Sequence, residues 1–128
     1  MIRSQNTKAD LTIKASNLNG FTSNGKALIG DKAFEYYNSR NGKDYIQIPY
    51  KEIDYISAEV LFGKKIVRFA IHTKANGTFK FSTRDNKKTL RAINKYVDSE
   101  KLRRSLSFIE LMKRGVKNLI KKIKEQIK

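Results

Sequence analysis

Apolar and polar residues alternate with period two along most of the first 83 positions, and clusters of Gly, Asn and Asp interrupt the alternation. Such alternation marks half-buried β-strands, and such clusters mark turns. Leu11, Ile13 and Ala15 alternate with Thr12, Lys14 and Ser16, which predicts an opening strand with one buried face. Residues 17–25 read as a loop, with Leu18 and Phe21 expected to pin it to the core. Residues 26–29 and 33–37 form a hairpin about Gly30-Asp31. Asn41-Gly42, inside the polar run 38–44, marks the next turn. A fourth strand over 45–48 ends at Pro49, which has no N–H to give a ladder. Residues 53–62 are the longest strand candidate, with Ile56, Ala58, Val60 and Phe62 on one face. After a turn at Gly63-Lys64-Lys65, residues 66–73 place Val67, Phe69 and Ile71 inward and Arg68, Ala70 and His72 outward. Asn76-Gly77 sets the last hairpin, and Phe79 and Phe81 face inward on strand 78–83. The pattern predicts seven strands.

At Asp85 the period changes. Asp85 can cap a helix by accepting backbone N–H groups, and Leu90, Ile93, Tyr96 and Val97 recur at helical spacing, predicting a helix over 86–97. Residues 98–106 read as a charged connector. Ser107 and Glu110 have capping-box spacing, so a second helix is expected from Phe108, interrupted near Gly115 and resuming over 116–128. In that last segment Val116, Leu119, Ile120, Ile123 and Ile127 fall within an arc of about 100°, flanked by Lys117, Lys121, Lys124 and Lys128. A helix of this length is marginal alone in water, so its apolar face must bury against something. Two occupants compete: its own sheet, leaving the lysines solvated, or an anionic membrane or acidic partner groove.

Charge sharpens that choice. The chain carries 28 Lys+Arg against 12 Asp+Glu, a formal net of +16. Residues 101–128 hold 10 of the basic and 2 of the acidic side chains, so half the excess (+8) lies in the last 28 residues. Such a surface attracts nucleic acid, anionic lipid or an acidic protein face. Seven Lys/Arg lie between Lys113 and Lys128, and each would contribute about 1 kcal/mol near an anionic leaflet. Lys113, Arg114, Lys117, Lys121, Lys124 and Lys128 are the expected contact charges, with Val116, Ile120 and Ile123 as apolar anchor. For nucleic acid, Lys64, Lys65, Arg68, Arg103 and Arg104 could meet phosphates. No helix-turn-helix or zinc spacing accompanies them, and of the strand aromatics only Tyr37, Tyr45 and Tyr55 are candidates for the outer face.

Catalytic chemistry finds little support in the pattern. There is no cysteine, so disulfides and thiolate metal sites are excluded. His72 is the single histidine and alternation puts it on an exposed strand face beside Arg68. The carboxylates Asp31, Glu35, Asp54 and Glu59 are scattered, and Gly25-Lys26 and Gly63-Lys64 lack phosphate-loop spacing. No cofactor, metal or enzymatic activity is expected. The first ten residues lack the apolar run of a signal peptide, and no stretch approaches a membrane span. The expectation is a soluble cytoplasmic chain, peripheral at the inner face of the membrane if the tail binds there.

Seven strands followed by a helix match the order of a pleckstrin-homology-like, GRAM-like barrel, in which two bent antiparallel sheets pack face to face and the helix closes one end. The run Ile46-Gln47-Ile48-Pro49-Tyr50-Lys51-Glu52-Ile53-Asp54-Tyr55-Ile56 resembles the junction between the fourth and fifth strands of bacterial domains of this kind. The expected fold is therefore mainly β with C-terminal helices (α+β): a seven-stranded antiparallel barrel with capping helix over 1–98, then a basic helical extension over 99–128. Further matching stretches are Gln5-Asn6-Thr7-Lys8, Ile29-Gly30-Asp31-Lys32, Arg68-Phe69-Ala70-Ile71, Asn76-Gly77-Thr78-Phe79, Leu90-Arg91-Ala92-Ile93, Arg104-Ser105-Leu106-Ser107-Phe108 and Lys113-Arg114-Gly115. With these the chain resembles the ManO-type family, small proteins encoded beside mannose-family phosphotransferase transporters in Gram-positive bacteria. The resemblance implies a non-enzymatic partner or regulator of mannose uptake or of its operon. The partners it suggests are membrane subunits of the transporter or the adjacent anionic lipid. A DNA-binding regulator of the operon is the alternative. Pleckstrin-type domains can hold headgroups through basic residues in the first strand loop, and residues 17–25 offer none. Open strand edges leave a homo-oligomer possible.

Overall fold

A computed structural model describes residues 2–62 and 65–106. Eight strands form one sheet in the order β4-β3-β2-β1-β7-β6-β5-β8. They are β1 (Ala9–Asn17), β2 (Ser23–Gly30), β3 (Ala33–Asn38), β4 (Tyr45–Pro49), β5 (Ile53–Leu61), β6 (Lys65–Thr73), β7 (Thr78–Thr83) and β8 (Leu102–Leu106). The helix α1 (Asn86–Asn94) follows β7, and short 3-10 turns precede β5 and β8. The second helix expected from Phe108, resuming over 116–128 after Gly115, with the candidate contacts Lys113, Arg114, Val116, Lys117, Ile120, Lys121, Ile123, Lys124 and Lys128, lies outside the described residues.

Seven antiparallel strands were expected to close into a barrel; among the described residues the sheet is open and mixed. β4 and β8 are its edges, and β8 pairs in parallel with β5, from Ile56↔Leu102 to Val60↔Leu106. Of the segment 98–106 expected as a charged connector, Leu102–Leu106 is thus a strand and Ser99–Lys101 a 3-10 turn. A parallel partner cannot arrive by a tight hairpin and needs a crossover. Here α1, packed on β6, β1, β2 and β7, and then the 3-10 turn Ser99–Lys101, packed on β5, bring the chain from β7 to the far edge. Leu102 packs against the core while Arg103 and Arg104 are exposed. Charged residues are a usual way of protecting an edge strand, and they mask the strand pattern in the sequence.

The core is where alternation places it. Phe34, Phe69 and Phe81 are fully buried and meet at ring-centroid distances of 4.8 to 6.2 Å. Ile29, Ile53, Ile56, Ile71 and Ile93 fill the space around them. Asp85 caps α1 by accepting from Lys88 N–H at 3.0 Å; the helix ends at Asn94 and not at the expected Val97, with Ile93 seating it on the sheet and Val97 buried in the turn that follows. Pro49 ends β4, and Tyr50 turns inward so that its hydroxyl donates to Gly30 O at 2.7 Å. Tyr50 also stacks on Tyr96 beside the helix, at 5.4 Å and 11°.

Local departures have local causes. β2 begins at Ser23, so the first loop is shorter than expected, and Phe21 is fully exposed instead of pinning it. Leu18 is held by its backbone, whose N–H donates to Lys80 O at 3.0 Å. A register shift between Glu59 and Val60 leaves Val67 without a partner in β5, and the residue after β5, Phe62, takes φ 53° and is 56% exposed. Phe62 therefore does not join the inward row of Ile56 and Val60.

Candidate functional site

Two polar constructions stand on the outer faces of the sheet. The first crosses β8, β5, β6 and β7. His72 stacks on Tyr55 at 4.0 Å and 13°. The Arg103 guanidinium lies over the Tyr55 ring at 4.3 Å, reaching from β8. Ser57 Oγ is 2.9 Å from His72 Nε2, and Thr78 Oγ1 is 3.0 Å from Nδ1. A hydroxyl can donate or accept, so the imidazole can gain a proton without losing a hydrogen bond. Partial burial nevertheless holds its pKa below the ordinary histidine value. Asp54 opposes that shift, and Lys80 and Arg103 reinforce it. His72 is outward on its strand, as alternation implies, but Arg68 is engaged elsewhere, bonded to Glu59 at 2.7 Å. The sequence alone offers Arg103 only as a phosphate contact. Its place over Tyr55 follows from the pairing of β8, which the sequence does not announce.

The second construction is a strap. Residues 4–8 lie across the β2–β3 hairpin and close over Glu35, a carboxylate with no solvent exposure. Glu35 accepts from the Ser4 hydroxyl, from Gln5 N–H at 2.9 Å and from Asn6 Nδ2 at 2.9 Å. Asn6 also gives Nδ2 to Ala33 O at 3.1 Å, and its Oδ1 accepts from the Lys32 and Ala33 N–H groups at 2.7 and 2.8 Å. Asp31 accepts from the Thr7 hydroxyl and from the Thr7 N–H at 2.8 Å, which hold its pKa down to about 2. At Gly30 an added Cβ would lie 2.3 Å from Lys8 O and 2.4 Å from Asn6 Cγ, so the strap requires glycine there. The stretches 5–8 and 29–32, far apart in sequence, are two halves of one lock. Alternation does not reveal the burial of Glu35, because its cover comes from the polar N-terminal residues.

The outer-face tyrosines pair. Tyr37 and Tyr45 stack at 6.5 Å, and the Tyr37 hydroxyl accepts from Gln47 Nε2 at 3.0 Å. Of the remaining phosphate candidates, Lys64 lies outside the described residues, Lys65 opens β6 and Arg104 is exposed on β8.

Among the described residues, an open eight-stranded sheet with one helix packed on it defines the class. It is similar to the C-terminal domain of an unknown protein from Leishmania infantum, with TM-score 0.61 and 12% identity over 70% of this chain and 83% of that one. It is also similar to a chain of the Spt16D–Pob3N heterodimer, with TM-score 0.60 and 10% identity over 78% of this chain. It spans 56% of that second chain. The fold is pleckstrin-homology-like. No curated protein matches the sequence. Residues 1–116 match the model of a family described as a domain of unknown function, DUF956, and the chain belongs to that family.

Proposed function

We propose that this chain is a non-enzymatic binding module that serves a mannose-family phosphotransferase sugar transporter at the cytoplasmic face of the membrane. In this reading the sheet is a scaffold, and the basic segment after it makes the contact with transporter subunits or neighbouring anionic lipid. Lys113, Arg114, Lys117, Lys121, Lys124 and Lys128 supply charge, and Val116, Ile120 and Ile123 supply the apolar anchor. The observation that carries it is the concentration of half the excess charge in residues 101–128. That segment begins with β8, an edge strand on which Arg103 and Arg104 are exposed. The resemblance of stretches 5–8, 29–32 and 46–56 to mannose-operon proteins names the transporter.

A non-enzymatic role is also supported by how the carboxylates are used. Glu35 and Asp31 hold the strap, Glu59 bonds Arg68, Asp85 caps α1 and Asp98 caps the turn before β8. Groups consumed by local structure are poor candidates for proton transfer. Among the described residues no helix is long and apolar enough to cross a membrane, so peripheral association is the form proposed.

The test is co-sedimentation of the full chain, and of a chain lacking residues 115–128, with membranes carrying the transporter and with anionic vesicles. Association should fall at least tenfold in the shortened chain. Unchanged association would refute the reading. A gel shift with operon and scrambled DNA across a salt series addresses the regulatory alternative. Equal, steeply salt-sensitive binding to both would indicate charge alone.

A further inference from the structure

We propose a binding site for a compact oligophosphate anion (two or three linked phosphates) on the outer face where β2, β1 and β7 meet. It would be held by Lys26, Lys14 and Arg84. The site is separate from the basic C-terminal segment and does not depend on the reading above.

Register places these cations together. Lys14 and Lys26 are direct cross-strand partners in the β1–β2 pair. On the other side of β1, Ala15 pairs with Thr83, and the Arg84 N–H donates to Lys14 O at 2.9 Å. Lys26 and Lys14 therefore form one rung, and Arg84, the residue directly after β7, continues it on the other side of β1; all three are exposed. Neighbouring strands are about 4.8 Å apart, so the rung spans about 10 Å. Like charges directly opposite each other destabilise a sheet. A rung of three works against the fold unless an anion sits between them. No ion pair joins any of the three to an acidic side chain among the described residues.

The next rung is neutral and polar. Asn24 pairs with Ser16, and Ser16 with Ser82. Ser16 Oγ donates to Asn24 Oδ1 at 2.9 Å, so the bond orients the amide without consuming its N–H donors. Cations and donors line a groove of about 670 Å³ that contains neither a carboxylate nor an aromatic ring. The groove thus matches charge and phosphate oxygens and offers nothing on which a base could stack. Three cations within about 10 Å match an anion carrying three or more charges in a short span. A long strand whose phosphates are separated by nucleosides fits less well.

The experiment is calorimetric titration of the full chain with inorganic tripolyphosphate, pyrophosphate and orthophosphate, and with a 20-residue single-stranded oligonucleotide. Tripolyphosphate should bind saturably at one site and more tightly than orthophosphate. Lys14→Gln and Arg84→Gln should each weaken it at least tenfold, as expected for lost charge-assisted hydrogen bonds. Lys74→Gln, an exposed loop lysine away from the rung, should change it less than twofold. Without ligand, Lys14→Gln should melt slightly higher than the parent because repulsion is relieved, yet gain less stability from tripolyphosphate. Equal weakening by all three substitutions, no saturable binding below millimolar concentration, or binding that strengthens with oligonucleotide length and excludes tripolyphosphate would each overturn the proposal.

Discussion

Replacing Asn6 by Ala tests the strap where most of its bonds converge. The substitution removes one acceptor used by two backbone N–H groups, Lys32 and Ala33, and one donor shared between Ala33 O and the buried Glu35 carboxylate. A neutral hydrogen bond contributes about 1 kcal/mol net, and one to a charged group about 1.5–3 kcal/mol. The four do not add, because water can reach Lys32 once the strap loosens. The fully buried Glu35, however, would lose one of its three strap donors and keep the Ser4 hydroxyl and the Gln5 N–H. The expected loss is about 3 kcal/mol, and at roughly 4 °C per kcal/mol for a domain of this size the melting point should fall by about 12 °C. Urea denaturation of the full chain measures the first quantity and thermal melting the second. Gly30→Ala should act in the same direction, since its Cβ would displace Lys8 O and Asn6. Amide exchange should accelerate first over residues 4–8 in both variants. A loss below about 1 kcal/mol for Asn6→Ala, the level of a single neutral bond, would show that the strap contributes little and that Glu35 is satisfied by other means.

Two titrations follow from the same geometry. The Thr7 hydroxyl and backbone hold Asp31 down to about 2, so its stabilisation is complete above the ordinary carboxylate value and is lost as pH falls through 2. Thr7→Ala should raise the Asp31 pKa, as read by carboxyl NMR, and shift acid unfolding to higher pH. His72 is held below the ordinary histidine value mainly by burial, so protonation opposes folding and stability should decline as pH falls below about 6.5. Removing its cover with Tyr55→Ala should move the imidazole pKa upward in an NMR titration, and an unchanged value would discount burial as the cause.

How much was legible depended on whether a residue's environment was set by its own neighbours. Phe34, Phe69, Ile71 and Phe81 sit where alternation puts them, because a strand with one buried face repeats every second residue. Asp85 caps its helix and Pro49 ends its strand for reasons internal to a few residues. Glu35 is the opposite case. A glutamate on the polar face of a strand is ordinarily wet, and only the strap, 27 or more positions away, removes it from water. Likewise Leu102–Leu106 carries adjacent arginines and no period-two signal, so its place beside β5 is visible only once α1 has carried the chain over. Of the candidate sites, the C-terminal contacts lie outside the described residues. The Arg103–Tyr55–His72 stack and the Lys26–Lys14–Arg84 rung both join residues from separate strands.

The sequence by itself determined the succession of the first seven strands, the inward faces of their core residues, the helix start and the uneven charge, because periodicity and composition are properties of contiguous residues. Tertiary structure alone decided which strands became neighbours. It set β8 parallel at the edge, left the sheet open, folded the N-terminal residues over Glu35 and gathered three cations into one rung. The physical reason is register. Pairing between distant segments depends on loop closure, crossover geometry and bulges such as that at Val67, none of which a local pattern encodes.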